Sequence, residues 1–427
     1  MKSYLKAARE ITRGVFADNF QTGNQGLLRQ KNLSGIMHHL HDKAPISRAD
    51  LAKMTGLNKT TVSSLITELM DNHFVQEIGI SSPKGIGRRS VMLDINPARG
   101  AIVSAELGGD FLSAVTTDFA TEIIWKKRES ISPTLSQTAI LERLLKLLKE
   151  AIAIGNKKGY PLLGLALGVP GLVDGQSGNL LFAPNLGWKD VPLRDWLRKS
   201  FDTRIIVENE ATLAALGEQY FGAAEGYSEV LYVSAGVGLG GGMVIEGHLY
   251  NGASGFAGEF GHMTMNPEGE SCMCGNRGCW ETQVSQFALF RYIKEAIKAG
   301  STSSLPAQTK GKLDHLTVEM VVDAARRGDR AALVALDKVG KYLGTGIASL
   351  INVLNPSLVV FGGILSLAGE FLLPRINEEL HKRALHWTEE KVKLVVAKYG
   401  FDATVMGGVA RVYRAVLANP PILERAL

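Results

Sequence analysis

The residues best suited to chemistry crowd into one stretch, GHMTMNPEGESCMCGNRGCWE, from Gly261 to Glu281. Cys272, Cys274 and Cys279 are the only cysteines in the chain. Three thiols cannot all pair as disulfides, and MKSYLKAAREITRGVFADNF has no apolar core of signal-peptide type, so a reducing compartment is expected. Soft sulfur donors at this spacing suit zinc, which takes four tetrahedral ligands in a structural site. His262, ten residues before Cys272, is the fourth candidate ligand. Gly275 and Gly278 allow tight turns between the sulfurs. The alternative is a chance cluster of reduced thiols. A closed four-ligand site leaves no open position for catalysis. It would instead staple an irregular loop and orient Glu259 and Glu281 on either side of it. The imidazole can bind zinc through one nitrogen and offer the other to a ligand hydroxyl.

The elements around this loop read as an α/β protein. AIVSAELGG and FLSAVTTDF alternate as a strand hairpin, and TEIIWKKRES follows as a third strand. A long amphipathic helix is expected from about Leu135 to Lys157. LLGLALGVPG and RIIVENEA read as buried strands, and LYVSAGVGLGGGMVIEG as strand, glycine loop and strand. A second set closes with the helix LGTGIASLINVLN and the strand LVVFGG. Two alternating sets predict two α/β lobes around a cleft. No tandem short-period repeat is present. The stretch from Pro97 to Gly100 marks a boundary, giving domains at 1–96 and 97–427.

The first domain has a different character. Residues 1–24 read as a loose polar leader, and Leu27, Leu28, Leu33, Ile36, Met37 and Leu40 recur at helical spacing. Ser47 and Asp50 form a capping box opening a short helix whose inward residues are Leu51, Ala52 and Met54. Thr55 to Leu57 turns the chain, and Asn58 caps a second helix with Val62, Leu65, Ile66 and Leu69 on its apolar face. The outward face of its first turns is Lys59, Thr60, Thr61, Ser63 and Ser64. Short hydrogen-bonding groups and a lysine suit a major groove, so this is a helix-turn-helix, with Ser47 and Asn58 at the helix starts counted among the DNA-binding candidates. After Phe74, two alternating runs flank a Gly/Ser/Pro-rich tip with Lys84, Arg88 and Arg89. This reads as a β-hairpin wing reaching phosphates or the minor groove. A generic helical hairpin with a surface hairpin is the competing interpretation.

Bulk properties agree. The chain has 427 residues, 45% apolar and 21% charged, and a net charge of +5. Residues 1–99 carry 14 Lys/Arg against 8 Asp/Glu, so that the first quarter is +6 and the remainder −1. A basic module meeting a polyanion, joined to a neutral body, follows from that asymmetry. No apolar run is long enough to span a bilayer, and a cytoplasmic protein without a membrane partner is expected.

The segment SGFAGEFGHMTMNPEGESCMCGNRGCWE resembles the signature of the ROK family, the repressor, open-reading-frame and kinase group. The resemblance covers nearly the whole chain from about residue 100. PISRADLAKMTGLNKTTVSSL and GRRSVMLDINP resemble the DNA-binding part of the xylose-repressor branch. The resemblance implies the two-lobed, actin-like, RNase H-like fold of the sugar kinases, with sugar in the cleft. Glu208 to Ala211 match an E-N-D-A motif in which the asparagine, here Asn209, contacts sugar hydroxyls. The base that deprotonates the attacking hydroxyl in the kinases falls at Glu210. Glu259, His262 and Glu281 match sugar contacts, and Asn185 in APNLGW is a further candidate. His262, Cys272, Cys274 and Cys279 match the zinc ligands, within a stapled loop at 259–281.

The resemblance also implies where kinase chemistry would sit, and the chain departs there. The first phosphate loop of the family reads D-x-G-G-T, whereas Glu106, Leu107, Gly108, Gly109 and Asp110 stand here. A carboxylate in place of the threonine would repel a triphosphate. Glu210 is one methylene longer than the kinase aspartate. The loop Ser234 to Gly242 starts Ser-Ala where kinases favour Gly-Thr, and FGGI near Phe361 keeps two glycines. These departures, together with the DNA-binding module, predict a non-enzymatic, sugar-responsive repressor without ATP; structural zinc, operator DNA as partner and a homo-oligomer, a dimer, are expected with it. Release or modulation by a sugar such as xylose is expected. The alternative is an ATP-dependent, glucokinase-like sugar kinase with residual or bifunctional activity.

Overall fold

A computed structural model describes residues 25–80, 90–132 and 134–420. The polar leader and the wing-tip residues Lys84, Arg88 and Arg89 lie outside the described residues. The chain divides into two compact units, residues 1–99 with 414–427, and residues 100–413. The sequence placed everything after residue 97 in one domain, but the end of the chain groups with the first unit. One tie there is the Gln30 Nε2 donation to Asn419 Oδ1 at 2.7 Å.

In the first unit, α1 (Gln25–Lys43), β1 (Ile46–Ser47), α2 (Arg48–Thr55), α3 (Lys59–Asp71), β2 (Val75–Ile80) and β3 (Val91–Ile95) follow in order. The strands pair antiparallel as β1-β3-β2, so the two long runs after Phe74 do form the hairpin. Ser47 caps α2, its hydroxyl accepting from the Asp50 N–H at 3.2 Å and donating to the Asp50 carboxylate at 2.7 Å. Gly56 turns the chain at φ 70°. Asn58 caps α3 by accepting from the Thr61 N–H at 2.7 Å. Val62, Leu65, Ile66 and Leu69 are buried as expected, with Leu33, Ile36, Met37 and Leu40 of α1. Leu27 and Leu28 are exposed, because the buried stripe of α1 begins only at Leu33. Met54 is 42% exposed, against expectation. Leu51 and Ala52 set the inner face of α2, and at ~100° per residue Met54 lies well off the direction between them.

The second unit contains β4 (Ala101–Leu107), β5 (Phe111–Thr117), β6 (Ile123–Ser130), α4 (Gln137–Lys157), β7 (Leu162–Val169), β8 (Leu172–Asp174), β9 (Asn179–Ala183), β10 (Trp188–Val191), α5 (Leu193–Arg198), β11 (Ile205–Asn209) and α6 (Glu210–Phe221). It continues through β12 (Val230–Ala235), β13 (Leu239–Ile245), β14 (His248–Leu249), α7 (Glu281–Val284), α8 (Gln286–Lys298), α9 (Leu305–Gln308), α10 (Val318–Arg326) and α11 (Arg330–Leu354). Last come β15 (Leu358–Gly362), α12 (Gly369–Arg383), α13 (His386–Glu389), β16 (Lys393–Val396) and α14 (Ala403–Ala418), whose residues from Arg414 onward belong to the first unit.

Two five-stranded sheets result, ordered β11-β7-β4-β5-β6 and β14-β13-β12-β15-β16. Each has three antiparallel strands followed by two parallel ones, the same order twice. This is the pair of α/β lobes that the alternation of elements predicts. β4 and β15 are buried along their whole length; β15, with parallel neighbours on both sides, is a continuous apolar run, whereas β4 carries Ser104 and Glu106 within it. Among helices, α11 runs well upstream of the segment picked out by sequence, because its apolar stripe continues back to Ala331.

Candidate functional site

The strand that ends in Asn209 turns into a helix at that residue. RIIVENEA reads as one strand by composition, yet Asn209 is an N-cap. Its Oδ1 accepts from the N–H groups of Ala211 at 2.8 Å and Thr212 at 3.0 Å. Its Nδ2 donates to the Gly171 carbonyl at 3.0 Å. The cap fixes the amide at the mouth of a cleft of about 570 Å³ within the second unit. Asn185, Asn209, Glu210, Glu259, His262 and Glu281 all line that cleft. The glycine loop at Gly236–Gly241, the Glu106–Phe111 loop and Gly363 line it too. Arg128 and Phe290 also reach it, and their sequence surroundings carry no signal, since sheet order and packing alone bring them there. Arg128 stacks on the Phe111 ring at 3.4 Å from its centroid.

The cysteine loop is held by one buried tryptophan between Cys279 and Glu281. Trp280 is fully buried, and its Nε1–H donates to the Tyr342 carbonyl on α11 at 2.9 Å. A Cβ on Gly346 of α11 would lie 2.2 Å from that indole, so only glycine lets the ring seat. Glu281 Oε2 accepts the Leu239 N–H at 2.9 Å, and Oε1 stands 3.8 Å from Cys272 Sγ. Glu259 Oε2 lies 3.7 Å from His262 Nε2, on the other side of the ring from Cys272.

The donor atoms of His262, Cys272, Cys274 and Cys279 all lie within 4.8 Å of one another. Cys274 Sγ is 3.8 Å from Cys279 Sγ, and Cys272 Sγ is 3.8 Å from His262 Nδ1. A tetrahedron with Zn–S bonds of ~2.3 Å has edges near ~3.8 Å, so the donor set fits zinc. Burial pushes the Cys272 thiol up to about 12, and a bound cation would favour its thiolate. The four side chains would hold such an ion and leave no open position.

Four carboxylates meet in the cleft. Burial raises Glu210 well above the ordinary range, and Glu106, Glu259 and Glu281 nearby add to the effect. Glu210 Oε2 is buried without a hydrogen-bond partner. Burial likewise raises Glu259. Glu106 is pushed up to about 7, again by burial, with the Arg128 charge opposing. The folded chain therefore holds a proton on Glu106 that the unfolded chain gives up above its ordinary 4.5. Stability tied to this group is complete below that value and is lost as pH rises toward 7. Glu106→Gln should diminish the loss by on the order of 2 kcal/mol, read from urea melts at about pH 5 and about pH 7.5.

In the first unit, Lys59, Thr60, Ser63 and Ser64 are exposed on one face of α3, and Thr61 is half-buried beside them. Asn58 is exposed, with its side-chain oxygen engaged in the cap. Ser47 is 4% exposed and its hydroxyl is committed to Asp50, so it sets the angle of α2 from within.

Among the described residues, no helix is long and apolar enough to cross a membrane. A family profile described as ROK family matches residues 102–414, and one described as winged helix-turn-helix DNA-binding matches residues 29–76. A xylose repressor of Caldicellulosiruptor bescii is 35% identical over 93% of this chain and 99% of its own length. The crystal structure of a ROK family transcriptional regulator, homolog of the E. coli MLC protein, superposes with a TM-score of 0.79 at 29% identity, over 92% of this chain and 97% of that one. A ROK family glucokinase from Streptomyces griseus, in complex with glucose and AMPPNP, gives 0.64 at 30% identity, over 72% of this chain and 98% of that one. The protein belongs to the ROK family and carries a winged helix-turn-helix ahead of its two-lobed, actin-like sugar-kinase fold.

Proposed function

We propose that the protein is a sugar-responsive transcriptional repressor. The observation that carries this reading is the joining, in one chain, of a capped helix with an exposed Lys/Thr/Ser face and a cleft rich in hydroxyl-binding groups. Operator DNA is the partner of Lys59, Thr60, Thr61, Ser63 and Ser64, with Lys84, Arg88 and Arg89 assigned to the wing. The effector is an uncharged sugar such as xylose, held by Asn185, Asn209, Glu210, Glu259, His262 and Glu281. The match to a xylose repressor over nearly the whole chain supports that choice.

Zinc on His262, Cys272, Cys274 and Cys279 is structural in this reading, supplying a rigid frame for Glu281 and the His262 ring. The working oligomer is a dimer, whose paired helices suit two half-sites of a palindromic operator. Sugar acts by favouring one arrangement of the chain, and only its differential affinity for the two arrangements can drive release. The chain works as a regulator without phosphoryl transfer. Glu210 Oε2 has no hydrogen-bond partner to aim it as a base, and Asp110 brings negative charge to the loop where a triphosphate would lie.

A kinase reading is favoured by one observation: the loops at Gly236–Gly241 and Gly363 border the same cleft. The test is operator binding by gel shift with xylose, glucose and other sugars, beside an assay of Mg-ATP consumption. Weakening of the operator complex by one sugar, without turnover, is expected. Sugar-dependent ATP consumption would put the kinase reading first.

A further inference from the structure

Two of the residues assigned to the sugar, Asn209 and Glu210, sit at the start of α6, and α6 is packed against α14 in an unusual way. A Cβ on Gly407 of α14 would lie 1.7 Å from the Leu213 carbonyl oxygen of α6. One on Gly217 of α6 would lie 2.6 Å from the Ala403 carbonyl oxygen. The two backbones therefore touch with no side chain between them. Such a contact has no flexible group to absorb a displacement, so a shift of one helix is passed to the other. A Cβ on Gly408, one residue on, would lie 2.0 Å from Ser104 Oγ of β4.

One polar side chain ties this pair to the cleft. Thr404 is buried, and its hydroxyl donates to the Glu210 carbonyl at 3.3 Å. The same side chain stands beside Glu106 on β4, where its hydroxyl favours the charged carboxylate. Its methyl fills the space over Gly168 of β7, 2.5 Å from where a Cβ would stand. Thr404 thus meets three elements at once: the strand carrying Glu106, the strand before the Gly171 turn, and the first turn of α6. From Arg414 onward, the residues of this helix group with the winged-helix unit.

We propose that Thr404 is a positioning residue that couples sugar occupancy at Asn209 and Glu210 to α14, and through α14 to operator binding. The inference rests on the sugar-responsive reading above. A sugar hydroxyl that engages the first turn of α6 pulls on the Glu210 carbonyl and its tie to Thr404. The backbone contact then carries the change along α14.

The test uses the full-length, zinc-loaded protein with xylose as probe, and the variants Thr404→Val and Thr404→Ser. Valine keeps the methyl over Gly168 and removes the hydroxyl. Thr404→Val should bind xylose, and the operator without xylose, within about 3-fold of wild type, while the effect of xylose on operator affinity falls from a factor of about 5 or more to below about 2. Thr404→Ser should keep the wild-type factor. By reciprocity, operator DNA should weaken xylose binding in wild type and not in Thr404→Val.

A Thr404→Val protein with the full xylose effect overturns the proposal. So does one that has lost xylose affinity, which would make Thr404 a sugar contact. Should Thr404→Val fail to fold, hydrogen exchange on wild type decides: bound xylose is expected to change exchange along 404–413, and unchanged exchange overturns the coupling. Should operator affinity ignore every sugar that binds, the repressor reading falls, while the exchange measurement still decides the tie between α6 and α14.

Discussion

Glu259→Ala should leave operator binding intact and make the protein nearly deaf to its sugar, with affinity falling by roughly 10- to 150-fold. Among the cleft groups this is the cleanest to remove. Asn209 caps α6 through two backbone N–H groups, and Glu281 accepts the Leu239 N–H, so truncating either disturbs the scaffold. Glu259 makes no capping hydrogen bond, and its Oε2 stands 3.7 Å from His262 Nε2. Its carboxylate is free to take hydroxyl donors, and a hydrogen bond to a charged group contributes ~1.5–3 kcal/mol. Removal should also relieve like-charge pressure on Glu210, which Glu259 helps to raise. Folding stability should thus be unchanged or slightly improved. Titration calorimetry with xylose, with gel shifts alongside, checks both halves. Unchanged sugar affinity would remove Glu259 from the site.

Cys274→Ser should empty the metal site and loosen everything anchored to it. The substitution is nearly isosteric, so its effect is on ligation. Metal content is expected to drop from about one zinc per chain to none, measured by atomic absorption. A loss of about 3 kcal/mol, with roughly 5 °C or more off Tm, follows from an irregular loop deprived of its cross-link. Sugar response should weaken as well. His262 is both a candidate ligand and a cleft residue, and Glu281 Oε1 lies 3.8 Å from the Cys272 sulfur. Operator binding should be the least affected property. A metal-free variant with full sugar response would mean that Trp280, clamped against Gly346 and Tyr342, orients Glu281 unaided.

The helix caps were legible because they are local. Ser47 with Asp50, and Asn58 with Thr61, make their bonds three residues apart, within reach of a reading by residue type. The metal-ligand candidates were legible for the same reason, since His262 and the three cysteines occupy one short stretch. The apolar stripe of α3 and the buried run of β15 follow from period and composition alone. Where two local signals compete, sequence reading faltered. The β-branched run before Asn209 masked its role as a cap, and Met54 looked inward by type although the helix turns it out.

What the sequence by itself determined, then, is the kind of each part: a polar-faced helix-turn-helix, two α/β lobes, and a loop with four soft and borderline metal donors. These depend on contacts between residues near in the chain, where spacing alone specifies geometry. Only the tertiary structure decided how the parts meet. Glu106 and Glu210 acquire raised proton affinities because folding buries them together. Arg128 enters the cleft because β6 lies beside β5, and Gly217 and Gly407 serve as a helix contact because folding brings residues far apart in sequence within backbone distance. Burial and close approach are properties of the packed whole, and a linear pattern of residue types does not contain them.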